Sequence, residues 1–264
     1  MKLKKAIIDI SFAIVFLLSG CSSQQKKADP VLNKDQVVQK VRKSFKSGQV
    51  IQSVTLATDT SSQSAIANTT FGGESTVYHI TNQTTSKGKT SSSEEWVNLN
   101  NVYINGRDTW YKADLEKLTG HSYAELTDAI MNNHFILNPS DKLVKAYKMK
   151  RNKQTYTLNA KITDKALMKK AASPIFNTVA QSANQAKTFK QIQKYGKYRD
   201  MTVKAVVKNN RLSTFNIFVN MKLGKLMTVK VGQSYDNFGS HDFLKVPTSA
   251  TNAKPLPATN NKKK

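Results

Sequence analysis

Residues 201–221 read MTVKAVVKNNRLSTFNIFVNM, and the fold turns on them. Met201, Val203, Ala205 and Val207 recur at every second position, and so do Phe215, Ile217, Val219 and Met221. A period of two puts each set on one face of a β-strand, with the intervening side chains on the other. Asn209-Asn210 lies between the two runs, the dipeptide chemistry of a tight hairpin turn, so the strands pair antiparallel.

The same pattern extends outward. Tyr156, Leu158, Ala160 and Ile162 alternate with Thr155, Thr157, Asn159 and Lys161. Less regular strands are predicted over Val50–Thr58, Ser64–Phe71, Thr76–Thr81, Glu94–Leu99, Val102–Ile104, Leu143–Met149 and Leu226–Val231. Asn100-Asn101, Asn105-Gly106, Arg151-Asn152 and the looser Lys87-Gly88 supply further turns. Strands joined this way form one strongly curved antiparallel meander.

Helices interrupt it. Asn33 and Gln36 form a capping box with Leu32 as a staple, and Val37, Val38, Val41 and Phe45 follow at helical spacing, with Gly48 as the stop. Ser122 and Glu125 form a second capping box ahead of Leu126, Ala129 and Ile130. From Asp164 to Gln193 an apolar stripe runs through Ala166, Leu167, Ala171, Ile175, Phe176, Val179, Ala180 and Ala183. Pro174 inside it, with Ser173 as its cap, predicts the start of a separate helix. The fold class is therefore α+β.

The N-terminus carries an address. Lys2, Lys4 and Lys5 precede an apolar run from Ile10 to Leu18 that is too short for a stable bilayer span. Asp9 sits at its edge. Leu18-Ser19-Gly20-Cys21 then has the form of a lipobox, in which the cysteine receives diacylglycerol and the chain is cleaved before it. Residues 1–20 are expected to be a lipoprotein signal peptide and 21–31 a lipid-anchored flexible tether. The single domain is expected over 32–246, and 247–264, with its three prolines and terminal lysines, as a disordered basic tail. Cys21 is the one cysteine, so the exported part has neither a free thiol nor a disulfide. Two or three acyl chains, diacylglycerol and palmitate, anchor such a protein stably where one would not. The expected location is the extracytoplasmic face of the cell membrane.

Chemistry-bearing motifs are sparse. The sequence has no nucleophile elbow, zinc-binding His-Glu-x-x-His helix, phosphate loop or dinucleotide glycine pattern. His79, His121, His134 and His241 lack ligand spacing, and Glu94-Glu95 fall on opposite faces of a strand. Asp108, Asp114 and Glu116 around Trp110-Tyr111 fit either a pocket rim or a solvated hairpin end. No enzyme activity, metal or cofactor is expected. The 264 residues hold 41 Lys+Arg against 17 Asp+Glu, a formal charge of +24 and a pI near 10.0. Outside the cytoplasm this charge suits anionic head groups or wall phosphate polymer rather than nucleic acid, or serves solubility alone.

The first helix Val37 to Phe45, Trp110-Tyr111-Lys112 after a hairpin, the hairpin pair over 201–231 and the closing Lys245-Val246-Pro247 together resemble the lipoprotein-carrier (Lol-type) and glycolipid-carrying lipoprotein superfamily, including a group of Gram-positive lipoproteins. The resemblance spans about 32–250. It implies an unclosed β-barrel whose concave apolar face is covered by helices, leaving a slot for an acyl chain. On that reading Phe215, Ile217, Val219 and Met221 line the slot from the sheet, and Leu167, Ile175, Phe176 and Val179 line it from the helices. The implied function is a monomeric, lipid-anchored binding protein for a lipid, glycolipid or lipoprotein acyl chain. The alternative is an envelope interaction or scaffold protein with a filled core, using its basic surface on wall polymer or a partner protein.

Overall fold

The 201–221 hairpin forms as its alternation demands. In the computed structural model, which describes residues 30–257 apart from 43–44, 107 and 120, β9 (Lys197–Lys208) and β10 (Arg211–Leu223) pair antiparallel. Asn209 and Asn210 both take positive φ, 50° and 62°, as a tight hairpin turn of this hand requires. Lys87 and Gly88 do the same at 50° and 74°, joining β3 (Val77–Ser86) to β4 (Lys89–Val97).

The remaining strands are β1 (Gly48–Ala57), β2 (Ser62–Gly72), β5 (Asn101–Asn105), β6 (Trp110–Asp114), β7 (Lys148–Asn152), β8 (Thr155–Ile162), β11 (Met227–Asp236) and β12 (Lys254–Pro255). All join one sheet in the order β12-β6-β5-β4-β3-β2-β1-β11-β10-β9-β8-β7. Two meanders, β1–β6 and β7–β11, are thus sewn together by the antiparallel β1–β11 pair. Only β12 runs parallel to its neighbour, β6. The order is linear, so the α+β fold is an open sheet and not a closed barrel.

Eight helices stand among the described residues. The link from β6 to β7 carries α2 (Leu115–Thr119), α3 (Tyr123–Ile130), α4 (His134–Leu137) and α5 (Asp141–Ala146). The link from β8 to β9 carries α6 (Lys165–Thr178) and α7 (Ala183–Tyr195). With α1 (Lys34–Val41), these helices cover one face of the sheet: α6 packs on β1, β9, β10 and β11, α1 on β9 and β10, and α5 on β8. Both capping boxes form, Asn33 with Gln36 and Ser122 with Glu125. The helix α8 (Thr248–Thr251) lies near the C-terminus.

Several expectations are corrected. The first helix ends at Val41, capped by Arg42, and Gly48 opens β1 instead of stopping it. Phe45 leaves the helix and stacks among Phe71, Tyr235 and Phe238 at 4.9–5.8 Å, since three aromatic rings bury it better than another helical turn would. Leu143–Ala146 is helical, because Ser140 caps Leu143 N–H; the strand begins only at Lys148. Its turn falls after Asn152, with Lys153 at positive φ, and not at Arg151-Asn152. Pro174 lies inside α6, and the following helix starts at Ala183 under a Ser182 cap. A proline inside a helix forfeits one backbone bond; here the proline itself borders open space.

The end of the domain also differs. Order continues past Val246: Ala250 is fully buried with Val77, Trp96 and Tyr103 on the uncovered face of the sheet, and Leu256 N–H bonds to Lys112 O at 2.9 Å. The proline-rich stretch 247–257 therefore straps the sheet edge. Contacts divide the chain at Val31/Leu32. Leu18, Ser19, Gly20 and Cys21, and with them the expected signal and tether, lie outside the described residues.

Candidate functional site

The sheet register assigns every strand residue to the helix-covered or the outer face, and the covered face changes character from one half to the other. In β8–β11 it carries Leu158, Ile162, Phe215, Ile217, Val219 and Met221, all at most 6% exposed and packed together. Ile175, Phe176 and Val179 of the α6 segment fill the space above them, and Leu167 packs against the same cluster. Phe176 meets Phe189 of α7 at 5.5 Å. All eight residues expected to line a slot thus sit in or against one filled core, and none lines the cavity described next.

That cavity lies at the other half of the sheet. It has a volume of about 1030 Å³, the upper end of what small-molecule sites offer. Its floor is Ile80 and Asn82 of β3, Glu95 and Val97 of β4 and Ile104 of β5. Leu115 and Leu118 of α2, Leu126 and Ala129 of α3 and Leu137 of α4 close one side. Pro174, Asn177 and Thr178 of α6 and Ala186 of α7 close the other. A smaller space of about 230 Å³ lies between α7 and β1–β3.

A buried polar network holds the wall in place. Asn133 Nδ2 donates to Gln233 Oε1 at 2.9 Å and to the Tyr235 hydroxyl at 3.2 Å. Gln233 Nε2 donates to Ala129 O at 3.1 Å, and Tyr235 Oη to Ile130 O at 2.8 Å. The C-terminal carbonyls of α3, which have no intrahelical partners, are thereby pinned to β11. Burial pushes the Tyr235 hydroxyl well above its ordinary pKa, so it stays a neutral donor. Thr178 Oγ1 donates to Gln52 Oε1 at 3.1 Å, tying α6 to β1 beside the cavity; Gln52 Nε2 is buried and has no partner among the described residues.

The adjacent glutamates separate as their alternation requires. Glu94 faces outward, where the Asn105 amide at 2.7 Å and His79 Nε2 at 2.9 Å hold its carboxyl below the usual carboxylate range. Glu95 faces the cavity. Burial raises its carboxyl above the ordinary value, opposed by donation from Asn82 Nδ2 at 3.1 Å and Ser93 Oγ at 3.4 Å. Among the scattered histidines, His121 and His134 reach the cavity lining; His121 stands 3.8 Å from Glu125, whose carboxylate is engaged in capping α3. Among the described residues no three His, Cys, Asp or Glu side chains gather as a metal site. Asp108, Asp114 and Glu116 stay off the lining: Asp114 caps α2 through Lys117 N–H at 2.9 Å, and Trp110 packs in the cluster beneath the C-terminal strap.

The outer face of β7–β11 has the opposite character. Lys148, Lys150, Lys161, Lys204, Lys222 and Lys230 are all exposed there, at register positions facing away from the helices. Among the described residues no helix is long and apolar enough to cross a membrane.

An open antiparallel sheet covered on one face by helices, with a cavity between the layers, defines the structural class. The chain belongs to the Family of unknown function (DUF6612), whose pattern it matches over residues 27–255. No curated protein matches it. Among solved structures it is similar to LprF from Mycobacterium bovis, at 13% identity and a TM-score of 0.43, covering 82% of this chain and 97% of that one. It is also similar to the LolA superfamily protein NE2245 from Nitrosomonas europaea, at 10% identity and a TM-score of 0.25, covering 81% and 99%. At these scores neither likeness carries a ligand or an activity to this chain.

The cavity escaped the sequence because its lining comes from β3–β5 and from helices up to about a hundred positions away, with no shared motif. One signal was present: a carboxylate at Glu95, on the covered face of a strand, where a filled core would have an apolar side chain.

Proposed function

We propose that this is a lipid-anchored, extracytoplasmic binding protein, without catalysis, that holds an amphipathic or hydrophobic envelope molecule between sheet and helices. The observation that carries the reading is the cavity of about 1030 Å³ bordered by apolar side chains from both layers together with many polar groups, the mixed lining an amphipathic molecule would meet. Cys21 bears the anchor, and the helix-covered face is the concave one. The chain acts as a monomer, because the ligand is enclosed by one sheet and its own helices. Native mass spectrometry of the chain lacking residues 1–21, before and after delipidation, tests this. A one-to-one mass excess, or loading of the stripped protein by lipid, is the expected result. A clean apo mass that resists loading by every envelope lipid class would refute it.

A second reading has its own support in the six exposed lysines on the outer face of β7–β11, whose side chains lie on the far side of the sheet from the cavity. That face suits anionic wall polymer or lipid head groups. It predicts wall binding that weakens steeply between low and high salt; binding indifferent to salt would count against it.

A further inference from the structure

The lining of the cavity departs from the chain's own composition. Lysine and arginine outnumber acids 41 to 17 overall, yet no described lining residue is a lysine or arginine, while Glu95, Glu125 and Asp128 all border the space. Glu125 and Asp128 are exposed at its rim on α3. Glu95 lies on the floor between Ile80, Val97 and Ile104.

The partners of Glu95 are incomplete. Its Oε1 accepts from Asn82 Nδ2 at 3.1 Å and Ser93 Oγ at 3.4 Å, both neutral donors. Its Oε2 has no partner among the described residues, and none of the described ion pairs includes Glu95. Glu95 is half-buried, and a carboxylate partly withdrawn from water gains from a cation or a full set of donors. This chain, rich in lysine, supplies no cation there and leaves one oxygen open beside an apolar floor.

We propose that the ligand is a cationic amphipath: its apolar body lies against Ile80, Val97, Leu126 and Leu137, and its protonated amine or guanidinium is taken by Glu95, with Glu125 and Asp128 adding negative potential at the mouth. The inference rests on the cavity being the ligand site. An anionic head group would face three carboxylates and no lysine or arginine, with only the imidazoles of His121 and His134 on the lining and His121 already beside Glu125, and an uncharged one would leave Glu95 uncompensated. The net charge of +24 does not oppose this at contact range, because salt screens exposed charges beyond about 8 Å at physiological ionic strength.

The test uses three probes with one tail, dodecylammonium, dodecyl maltoside and dodecyl sulfate, each titrated below its micelle concentration into the delipidated chain. Binding is counted as cavity binding only if Ala186→Trp, which fills the space from α7, abolishes it; sulfate binding that survives belongs to the lysine face. The ammonium probe is expected to bind one-to-one, at least about tenfold tighter than the maltoside. Glu95→Gln keeps the size of the side chain and its bond from Asn82. It should weaken the ammonium about ten- to a hundredfold, the worth of a hydrogen bond to a charged group, and leave the maltoside unchanged. Unchanged maltoside binding also reports that the variant is folded. Equal or tighter cavity binding of the maltoside or sulfate, or indifference of the ammonium to Glu95→Gln, overturns the cationic assignment while leaving the cavity as a ligand site. Failure of all three probes to enter overturns both.

Discussion

Removing one hydroxyl should have opposite consequences at two buried tyrosines. Tyr235 is 1% exposed; its hydroxyl donates to Ile130 O at 2.8 Å and accepts from Asn133 Nδ2 at 3.2 Å. Tyr235→Phe deletes both bonds. Asn133 keeps Gln233, but the Ile130 carbonyl, at the end of α3, is left without its donor. Two net bonds of roughly 1 kcal/mol each, plus the desolvation of an orphaned acceptor, give about 2–3 kcal/mol of lost stability. In a domain of this size that is roughly 4–10 °C in Tm. Tyr147 is equally buried at 4% exposure, yet its hydroxyl has no partner among the described residues. Tyr147→Phe removes an uncompensated polar group, so its stability should stay within about 0.5 kcal/mol of the parent or rise. Urea unfolding followed by circular dichroism measures both, and comparable slopes would show that the unfolded reference is unchanged. Equal losses in the two variants would refute the reasoning, because they would mean that ring packing and not the α3 pin sets the cost. Since α3 is a wall of the cavity, Tyr235→Phe should also weaken ligand loading, whereas Tyr147→Phe should not.

Other expectations follow from single contacts. Asp164 caps α6 through Leu167 N–H at 3.0 Å and pairs with Lys142 at 2.6 Å, and the Lys142 bond chiefly holds its carboxyl below the ordinary value. A depressed folded-state pKa adds stability above the unfolded value, lost as pH falls through the folded one. Thermal stability should therefore drop from about pH 4 downward in the parent, and Asp164→Asn should flatten that part of the profile. Gly73 has φ +91°, and a Cβ there would stand 2.2 Å from Leu244 O. Gly73→Ala should cost on the order of 1–3 kcal/mol and expose to protease the strap 247–257 that follows Leu244; an unchanged digestion pattern would show that the strap is not held there. Ser122→Ala removes the cap of α3 and should cost about 1 kcal/mol by thermal or urea unfolding, with Gln in place of Glu125 costing less because it can still reach the Ser122 N–H.

Much of the fold was legible because it rests on local patterns. Period-two runs in β8, β9 and β10, paired asparagines at a turn and two capping boxes each depend on residues within four positions of one another. What failed was decided at longer range. Residues 142–150, KLVKAYKMK, suit a strand or a helix by spacing alone, and the Ser140 cap decides the first part. Pro174 reads as a helix start because nothing in the sequence shows that α6 runs through it beside a cavity. The strap was hidden because Ala250, Val246 and Leu244 find their partners, Trp96 and Tyr103, across more than a hundred residues.

The two halves of the covered face differ in side-chain size, a contrast that shows once the register is known. The covered face of β8–β11 presents Leu158, Ile162, Phe215, Ile217, Val219 and Met221, long enough to meet α6 and leave no gap. In β2–β4 the covered positions include Ala65, Ala67 and Thr69, then Asn82 and Thr84, then Ser91 and Ser93, alongside Ile80, Glu95 and Val97; of these Ile80, Asn82, Glu95 and Val97 line the large cavity, and Ala65 and Thr84 line the smaller space. Short side chains cannot fill the distance between a sheet and a helix layer, and protein interiors do not otherwise tolerate voids of this size. The large apolar residues of β8–β11 gather where the core is packed, and none of them lines the cavity. On the floor of the large cavity the polar groups, Asn82 and Glu95 above all, are those that a filled core would have excluded.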